Sequence, residues 1–264
     1  MIFKKIKFGI ITTTYNRPLL LERAINSVLG QTYVNWVQVV VNDCSDISYD
    51  YLATVYDDKR IIFLKNKNNS GVNYSRNKAL EILEQEGCDF ITFLDDDDYL
   101  SSADVFKEMI EDISNKPFID WFIYEIKNIG SFNIEPQQCE FDLDYINDYL
   151  YGNKLKGDKH HLIRASMANG KRFTEFVKNG YEWTYFIQFS NLNTRYVSRS
   201  VKCIEYQEDG LTKNGQPKKV KNIILQTALP TLVWMSRPNN LKALKRMIAL
   251  WLKFPLRLGL ALFR

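Results

Sequence analysis

The sequence has only two histidines and four widely separated cysteines, which limits the metal sites it can form. The cysteines form no C-x-x-C pair and lie at Cys44, Cys88, Cys139 and Cys203. A zinc cluster built on Cys and His ligands is therefore excluded. The N-terminal segment also lacks the apolar core and the small-residue cleavage site of a signal peptide. We accordingly expect a cytoplasmic protein with free thiols.

Glycine-rich phosphate-binding motifs are absent as well. The 12 glycines form neither G-x-G-x-x-G nor G-x-x-x-x-G-K-S/T. This excludes a nicotinamide site of the usual kind and a P-loop. Without a glycine cradle, the charge of a bound diphosphate would have to be met by a metal ion or by basic side chains.

Long apolar runs and, in one region, acidic residues are also missing. The longest uncharged run late in the chain is residues 222–236, with 15 residues and an internal proline. A membrane-spanning helix needs about 20 apolar residues, so we expect no transmembrane segment. Residues 210–264 hold 11 Lys or Arg and no Asp or Glu, which leaves 24 basic and 31 acidic residues elsewhere. This asymmetry predicts a basic tail whose role differs from that of the acidic body.

The first 115 residues alternate between two apolar patterns. Short apolar runs typical of strands occupy 7–13, 36–41, 60–64 and 89–94, and helical patterns occupy 16–30, 48–56, 75–85 and 103–113. Such alternation indicates a parallel sheet covered by helices on both faces, and hence the α/β class. The middle third is mixed, with a strand pattern at 118–126, an extended one at 160–166, and helical ones at 143–151 and 181–189.

Polar clusters follow three of the predicted strands, at residues 13–17, 42–46 and 95–98. Because the carboxyl ends of parallel strands meet at one edge of a sheet, we expect these loops to open into one cleft. The third cluster is four consecutive aspartates, which repel one another unless a cation lies among them. If the backbone stays extended, Asp95 and Asp97 point the same way and favour a divalent cation. The alternative is a solvated acidic turn at the start of the next helix.

Three sequence blocks resemble those of family 2 glycosyltransferases, which are inverting enzymes with a GT-A fold. The blocks are TTTYNRPLLLERAINSVLGQTYVNWVQVVVNDCSD at 12–46, GVNYSRNKALE at 71–81 and FLDDDDYL at 93–100. A more divergent match, NGYEWTYFIQF, lies at 179–189. The resemblance implies a Rossmann-like, mostly parallel sheet. It also implies a nucleotide-sugar-binding half at 1–115 and an acceptor-binding and catalytic half at 116–212. The basic composition that follows predicts a separate helical tail at 213–264.

By this resemblance, the first two blocks bind the nucleotide. Thr14, Tyr15 and Arg17 would shape the pocket for the base, usually uracil. Asp43 would contact the base or ribose, and Arg76 would lie near the base or phosphate. The alternative for Arg76 is a surface position on a helix.

The resemblance also implies roles for the acidic residues. Asp95 would reach the ribose or sugar, Asp96 occupies the variable position, and Asp97 would be the principal ligand of Mn²⁺ or Mg²⁺. Glu182 aligns with the catalytic base, for which the family more often has aspartate, and Tyr181 replaces the acid that usually precedes it. The alternative for Glu182 is a capping residue at the start of a helix.

The acceptor side is predicted less directly. His160, His161 and Arg164 lie in GDKHHLIRAS and are candidates to line it, or else surface residues. The Q-x-x-R-W block and the long membrane spans of processive polysaccharide synthases are absent from the sequence. We therefore expect transfer of a single sugar.

The tail segment 241–264 predicts an amphipathic helix. At 100° per residue, one sector of roughly 120° carries the cations Lys242, Lys245, Arg246, Lys253, Arg257 and Arg264. The apolar residues Leu244, Met247, Ile248, Trp251, Phe254, Leu258 and Leu262 lie mostly opposite. This pattern favours a helix in the interface of an anionic membrane, although Pro255 should kink or break it. The alternative is a helix packed on the body with its cations facing water.

Together these features predict a metal-assisted glycosyltransferase. It would move one sugar from a nucleotide diphosphate, expected to be UDP, to a lipid-linked oligosaccharide, lipopolysaccharide or capsule acceptor, with inversion. We expect a peripheral location on the inner face of the plasma membrane and no nucleic-acid partner. The alternatives are a sugar-phosphate nucleotidyltransferase, whose glycine-rich N-terminal loop is absent, and a membrane-associated nucleotide-sugar-binding protein without turnover.

Overall fold

A computed structural model describes residues 5–129, 138–205, 220–237 and 239–262. In its first half, strands alternate with helices as the apolar pattern predicts. The elements are β1 Phe8–Thr14, α1 Pro18–Leu29, β2 Trp36–Asn42, α2 Asp50–Val55, β3 Ile61–Lys65, α3 Val72–Gln85 and β4 Phe90–Phe93. These four strands pair in parallel in the order β3-β2-β1-β4.

The second half extends the same sheet with strands of both directions. Its elements are β5 Asp98–Leu100, α4 Val105–Asn115, β6 Trp121–Ile129, β7 Phe141–Asp142, a π-helix Tyr145–Leu150, β8 His160–Arg164, α5 Ala165–Ala168, α6 Trp183–Phe186, a 3₁₀ turn Ile187–Phe189 and β9 Thr194–Glu205. The full order is β3-β2-β1-β4-β8-β6-β9-β5, with β7 paired to β9. Strand β8 runs antiparallel to both β4 and β6, whereas β9 is parallel to β6.

Helices cover both faces of the sheet, which confirms the predicted α/β class. Successive side chains of β1 point to opposite faces. Phe8 and Ile10 enter a core shared with α1 and α4, whereas Ile11 enters a second core shared with α3. The carboxyl ends of the parallel strands are therefore held at one well-packed edge.

The sequence pattern did not reveal β9, because this 12-residue strand contains three basic residues. Arg195, Arg199 and Lys202 each have an acidic partner, contributed by β7, α4 and the start of β5 respectively. Pairing with carboxylates allows these cations to lie in the sheet, so the strand need not be apolar.

The chain continues after β9 with two helices, α7 Val220–Ser236 and α8 Leu241–Leu262, which pack against each other as a helical hairpin. Helix α8 continues through Pro255, where a kink or break was expected. Within the described part of the chain, no helix is both long and apolar enough to cross a bilayer. The predicted boundary at 212–213 and the cation Arg264 lie outside the described residues.

Each of the two predicted faces of α8 has some side chains that are half-buried against the protein and others that are exposed to solvent. Of the apolar set, Leu244 and Met247 are half-buried, whereas Ile248 and Trp251 are exposed. Among the cations, Arg257 is half-buried, and the others described are exposed, namely Lys242, Lys245, Arg246 and Lys253. The helix therefore packs on α7 and still presents apolar and basic side chains outward.

Candidate functional site

A cavity of about 1040 Å³ opens at the carboxyl ends of β1, β2 and β4. The three predicted polar loops meet there, as expected for parallel strands of one sheet. Eleven predicted site residues line it: Thr14, Tyr15, Arg17, Asp43, Arg76, Asp95, Asp96, Asp97, His160, His161 and Glu182. The two halves of the chain therefore build one site.

Arg164 is the predicted site residue that the structure does not bring to this cavity. It donates to Asp120 at 2.7 Å and to the carbonyl oxygens of Pro117 and Ile119. The reason is the direction of β8, which begins at His160 on the cavity side. Four residues of strand carry the chain about 13 Å, so Arg164 lies near the opposite edge.

Hydrogen bonds tie the first loop to the second. The Asn16 amide donates to the Ser45 hydroxyl at 2.9 Å, and the Asp46 amide donates to the Asn16 side-chain oxygen at 2.8 Å. Asn16 has a φ of 58°, a left-handed conformation that asparagine tolerates better than most residues. These contacts leave Tyr15 exposed at the rim of the cavity.

Asp43 holds the start of α3. Its Oδ1 accepts from the Ser70 amide at 2.9 Å and from the Asn66 side chain at 2.8 Å, and its Oδ2 accepts from the Gly71 amide at 2.7 Å. Both carboxylate oxygens are thus engaged by the protein itself. Asp43 fixes the loop between β3 and α3 against the end of β2.

The aspartate run does not stay extended. A turn at residues 96–97 follows β4, so the extended backbone on which the expected alignment of Asp95 and Asp97 depended is absent there. The Asp95 carboxylate pairs with Arg76 at 2.7 Å, and the Asp97 carboxylate pairs with Arg17 at 3.0 Å. Asp98 pairs with the half-buried Lys202 of β9 at 2.5 Å. Separate cations therefore offset the mutual repulsion of three of the four carboxylates.

Burial affects the ionisation of the run. Burial is the largest influence on Asp96 and raises the pKa of its carboxyl to about 7, with the Asp97 charge adding to the rise. Burial likewise raises the pKa of Asp97, together with the charge of Asp95. Burial is also the largest single influence on Asp95 and disfavours its charged form, but Arg76, Lys202 and Arg17 together outweigh it and lower the pKa of Asp95. A cation placed among these groups would favour their ionised forms.

Arg76 links the aspartate run to Glu182. Its side chain is only 5% exposed and donates to Glu182 Oε1 at 2.5 Å and to Asp95 Oδ1 at 2.7 Å. Burial works against the charge of the guanidinium, but the two carboxylates outweigh it and keep the pKa of Arg76 above its usual value. The guanidinium also lies over the Phe173 ring, 5.3 Å from its centroid. A planar cation in this position can bridge two acids, which a lysine cannot do as well.

A loop carries Glu182, and residues of α3 hold that loop. The Asn73 side chain donates to the carbonyl oxygens of Thr174, Val177 and Gly180, at 2.9, 3.1 and 3.2 Å. Asn77 exchanges two hydrogen bonds with the backbone of Phe173. We call residues 173–182 the base loop.

The role of Asn73 was missed at the sequence level. The available signal was spacing, because positions 73, 76, 77 and 80 lie on one face of a helix. That face of α3 supports the base loop.

The far side of the cavity contains buried ionic and aromatic groups. Lys159 pairs with Glu125 at 3.1 Å, and Tyr145 and Tyr149 of the π-helix also line the cavity. His161 accepts from the Trp121 indole at 3.2 Å and stacks on Phe186.

Burial lowers the pKa of His161 to about 3, so its imidazole is neutral at ordinary pH. The His160 ring shares a 2.7 Å hydrogen bond with Thr92, and burial lowers the pKa of His160 well below its usual range. Both histidines therefore face the cavity as uncharged groups.

The donor set fits a divalent ion held largely by the phosphates of a bound ligand. Among the described residues, no group of three or more Asp, Glu, His and Cys side chains is arranged to hold a metal. Mg²⁺ in nucleotide sites commonly uses one or two protein carboxylates plus phosphate oxygens and water. The Asp97 side chain is 25% exposed and lines the cavity, so it can supply such a carboxylate.

The architecture agrees with that of a solved structure. A crystal structure of Staphylococcus aureus TarS residues 1–349 in complex with UDP superimposes with a TM-score of 0.74 and 18% sequence identity. The match covers 94% of this chain and 71% of that one. At this identity the likeness establishes the fold alone, and it confirms the expected GT-A fold.

Two curated relatives align over much of the chain. The Campylobacter jejuni GalNAc(5)-diNAcBac-PP-undecaprenol beta-1,3-glucosyltransferase is 27% identical over 216 residues, covering 78% of this chain and 67% of the relative. The Escherichia coli UDP-Glc:alpha-D-GlcNAc-diphosphoundecaprenol beta-1,3-glucosyltransferase WfgD is 31% identical over 138 residues, covering 51% of this chain and 53% of the relative. The chain thus spans about half to two thirds of the length of these relatives.

The family assignment rests on a longer match. Residues 9–175, more than half of the chain, match the sequence profile described as Glycosyl transferase family 2. This range includes all three motif blocks and ends inside the base loop. The protein therefore belongs to glycosyl transferase family 2.

Proposed function

We propose that this protein transfers a single sugar from a nucleotide diphosphate sugar, with UDP as the expected nucleotide, to a lipid-linked saccharide acceptor with inversion. The observation that carries this proposal is the joining of Glu182 to Asp95 through Arg76 inside one cavity. A candidate base and the acidic motif of a donor site thus lie within reach of one guanidinium.

The donor is proposed to lie along the carboxyl ends of β1, β2 and β4. Thr14, Tyr15, Arg17 and Asp43 surround the end of the cavity assigned to the nucleotide base and ribose. Arg76 is the buried cation paired with Asp95, and it is suited to contact the diphosphate when the donor is bound. Asp95 and Asp96 complete the wall on the ribose and sugar side.

Asp97 is the residue proposed to hold Mn²⁺ or Mg²⁺. Its carboxylate pairs with Arg17 at 3.0 Å, a contact that a bound ion would replace. The ion would supply positive charge beside the departing diphosphate. The Arg17 guanidinium could then turn towards the nucleotide.

Glu182 is proposed to be the general base. In an inverting transfer, the acceptor hydroxyl oxygen bonds to the anomeric carbon as the bond from that carbon to the diphosphate breaks. A carboxylate on the acceptor side takes the hydroxyl proton in the same step. The Glu182 side chain is 49% exposed at the cavity, so a substrate hydroxyl can reach it. His160 and His161, both neutral, remain candidates to contact the acceptor.

The acceptor is proposed to be lipid-linked. The names of both curated relatives describe diphospho-undecaprenol acceptors, which supports this class of substrate. One surface of the hairpin also suits a lipid interface. Its exposed apolar side chains are Ile224, Leu232 and Met235 on α7, and Ile248, Trp251, Leu252 and Leu256 on α8. We call these seven residues the apolar platform.

The α7 and α8 parts of the apolar platform are connected at Trp251. The Trp251 indole of α8 donates to the Thr231 hydroxyl of α7 at 2.8 Å, which brings the outer faces of the helices together. Exposed cations border it on α8, and residues 210–264 contain no acidic residue. Apolar side chains with neighbouring cations suit an anionic leaflet. We propose a peripheral position at the inner face of the plasma membrane.

Substitution of Glu182 tests the proposed reaction. Glu182→Gln should lower kcat for sugar transfer or donor hydrolysis by about 10²- to 10⁴-fold, because the amide cannot take a proton. Donor affinity, measured by calorimetry with UDP-sugars and Mn²⁺, should change little. Glu84→Gln is the matched control, because Glu84 pairs with Arg172 away from the cavity.

Two outcomes would favour the alternatives. Formation of a nucleotide sugar from a nucleoside triphosphate and a sugar phosphate would identify a nucleotidyltransferase. Tight donor binding by the wild type, without turnover on any acceptor or water, would identify a binding protein.

A further inference from the structure

Tyr181 stands directly before Glu182 in an unusual backbone conformation. Its φ is 60°, in the left-handed region, and Gly180 before it has a φ of 76°. A non-glycine residue adopts this region at a cost, so the surrounding contacts must hold it there. The peptide that joins Tyr181 to Glu182 is therefore oriented by whatever fixes the tyrosine.

The tail hairpin holds the side chain of Tyr181, whose backbone carbonyl oxygen accepts from the Thr184 amide at 2.9 Å. The Gln226 side-chain amide on α7 donates to the Tyr181 hydroxyl at 2.9 Å. The Gln226 side-chain oxygen in turn accepts a hydrogen bond from the Arg257 guanidinium on α8. All three side chains are half-buried, so these bonds compete with water less than surface bonds do.

The base loop is thus held from two sides. Asn73 of α3 binds the Gly180 carbonyl oxygen, and Arg76 of the same helix binds Glu182. Gln226 is the contact from the opposite side, more than 40 residues along the chain from the loop. Removal of the contact from the hairpin leaves the strained tyrosine with the bond from the Thr184 amide to its carbonyl oxygen, at 2.9 Å, and with the α3 contacts to its neighbours.

We propose that Tyr181 is a positioning residue through which Gln226 and Arg257 of the hairpin orient Glu182 for proton transfer. This inference rests on the proposed function of Glu182. Tyr181 acts through the peptide of its neighbour and does not take part in the chemistry itself. The hairpin then has two roles, because the helices that carry the apolar platform also set the geometry of the base.

Three substitutions test the arrangement. Tyr181→Phe and Gln226→Met each remove one hydrogen-bonding group and keep the volume. Gln226→Glu is the conservative variant, because a carboxylate can accept from the Tyr181 hydroxyl and pair with Arg257. Tyr51→Phe is the matched control, since its hydroxyl donates to Glu22 at 2.7 Å at the surface, outside the cavity.

Steady-state kinetics is the first readout. Tyr181→Phe and Gln226→Met should each lower kcat about fivefold, the equivalent of one net hydrogen bond, with donor KM unchanged. Gln226→Glu should restore kcat, and Tyr51→Phe should match the wild type. Wild-type kcat in both Tyr181→Phe and Gln226→Met would overturn the inference.

Amide hydrogen exchange is the second readout, and it does not depend on turnover. Peptides covering 173–186 should exchange about fivefold faster in Tyr181→Phe and Gln226→Met, with the sheet peptides unchanged. Uniformly faster exchange along the chain would indicate a purely structural role and overturn the inference. A wild type that binds donor without turnover would instead overturn the function proposed for Glu182, whatever the exchange shows.

Discussion

At the scale of single residues, the site is organised by cations that pair with particular acids. Arg17, Arg76 and Lys202 each neutralise one aspartate of the run. Asp96 is only 3.7 Å from the same Arg17, but its burial outweighs that contact and, with the charge of Asp97, raises the pKa of its carboxyl to about 7. Identical neighbouring side chains therefore have different ionisation behaviour, because each meets a different environment.

His161 should make stability depend on pH. Burial lowers its folded-state pKa to about 3, from an ordinary value of 6.5, so the unfolded chain binds a proton first as pH falls. As far as His161 is concerned, the free energy of unfolding keeps its full value above pH 6.5 and decreases as the pH falls from 6.5 towards 3. At pH 5 the loss should reach about 2 kcal/mol, as an upper value.

His161→Gln isolates this effect, because glutamine can accept from Trp121 but does not titrate. Urea unfolding at pH 7 and pH 5 should show a smaller loss of stability in the variant than in the wild type. Both proteins contain the same aspartates, so the titration of these groups cancels when the two losses of stability are compared. Equal losses would contradict the prediction.

At the scale of elements, the start of α3 is a junction between the two halves of the site. Gly71 has a φ of 95° and donates its amide to Asp43. A Cβ at this position would lie 2.4 Å from the Lys178 carbonyl oxygen of the base loop. The close approach allows Asn73 to reach the loop carbonyls. Glycine is thus required here both by conformation and by space.

Gly71→Ala should destabilise the protein and displace the base loop. The backbone clash adds to the cost of the left-handed conformation, so a loss above about 2 kcal/mol is expected. Gly87→Ala is the matched control, because its φ is 64° and no described atom lies within 4 Å of its added Cβ. Urea unfolding measures both, and Gly87→Ala should lose about 1 kcal/mol. Equal losses in the two variants would refute the steric part of the argument.

At the scale of the whole molecule, the acidic body and the basic hairpin form one structure with two kinds of surface. The π-helix and the hairpin are joined by Arg237, which pairs with Asp144 at 2.9 Å, and by Asn240, which donates to Asn147 at 2.9 Å. Tyr181 provides a second junction on the other wall of the cavity. The hairpin is therefore attached to the body at both the π-helix and the base loop.

The apolar platform predicts binding to anionic vesicles. Leu252→Asn and Leu256→Asn should each lower the affinity for phosphatidylglycerol vesicles about tenfold, because each removes an exposed apolar side chain from the contact. Co-sedimentation with the vesicles measures this affinity. Binding should also fall as salt is raised, since the neighbouring cations are screened.

Leu19→Asn is the control for this test, because Leu19 is 77% exposed on α1, far along the chain from the platform. Vesicle binding by the two platform variants at the wild-type level would contradict the membrane proposal. Equal weakening in Leu19→Asn would show that the effect is not specific to the hairpin.

Much of the fold was accessible from local pattern. Strands β1 to β4 and helices α1 to α4 were predicted because apolar periodicity and helix-breaking residues are local features of the sequence. Strand β9 was not predicted, because its basic residues are accommodated by partners far away in sequence. The loops that line the cavity followed from the parallel topology, whereas the position of Arg164 depended on β8 being antiparallel.

The sequence by itself determined the α/β class, the three motif blocks and their order, because each of these depends on residues that are adjacent in the chain. Only the tertiary structure decided which cation meets which aspartate, that Asn73 holds the base loop, and that Gln226 reaches Tyr181. The physical reason is distance along the chain. These contacts join residues that are mostly tens of positions apart, and their choice depends on how whole elements pack rather than on local preference.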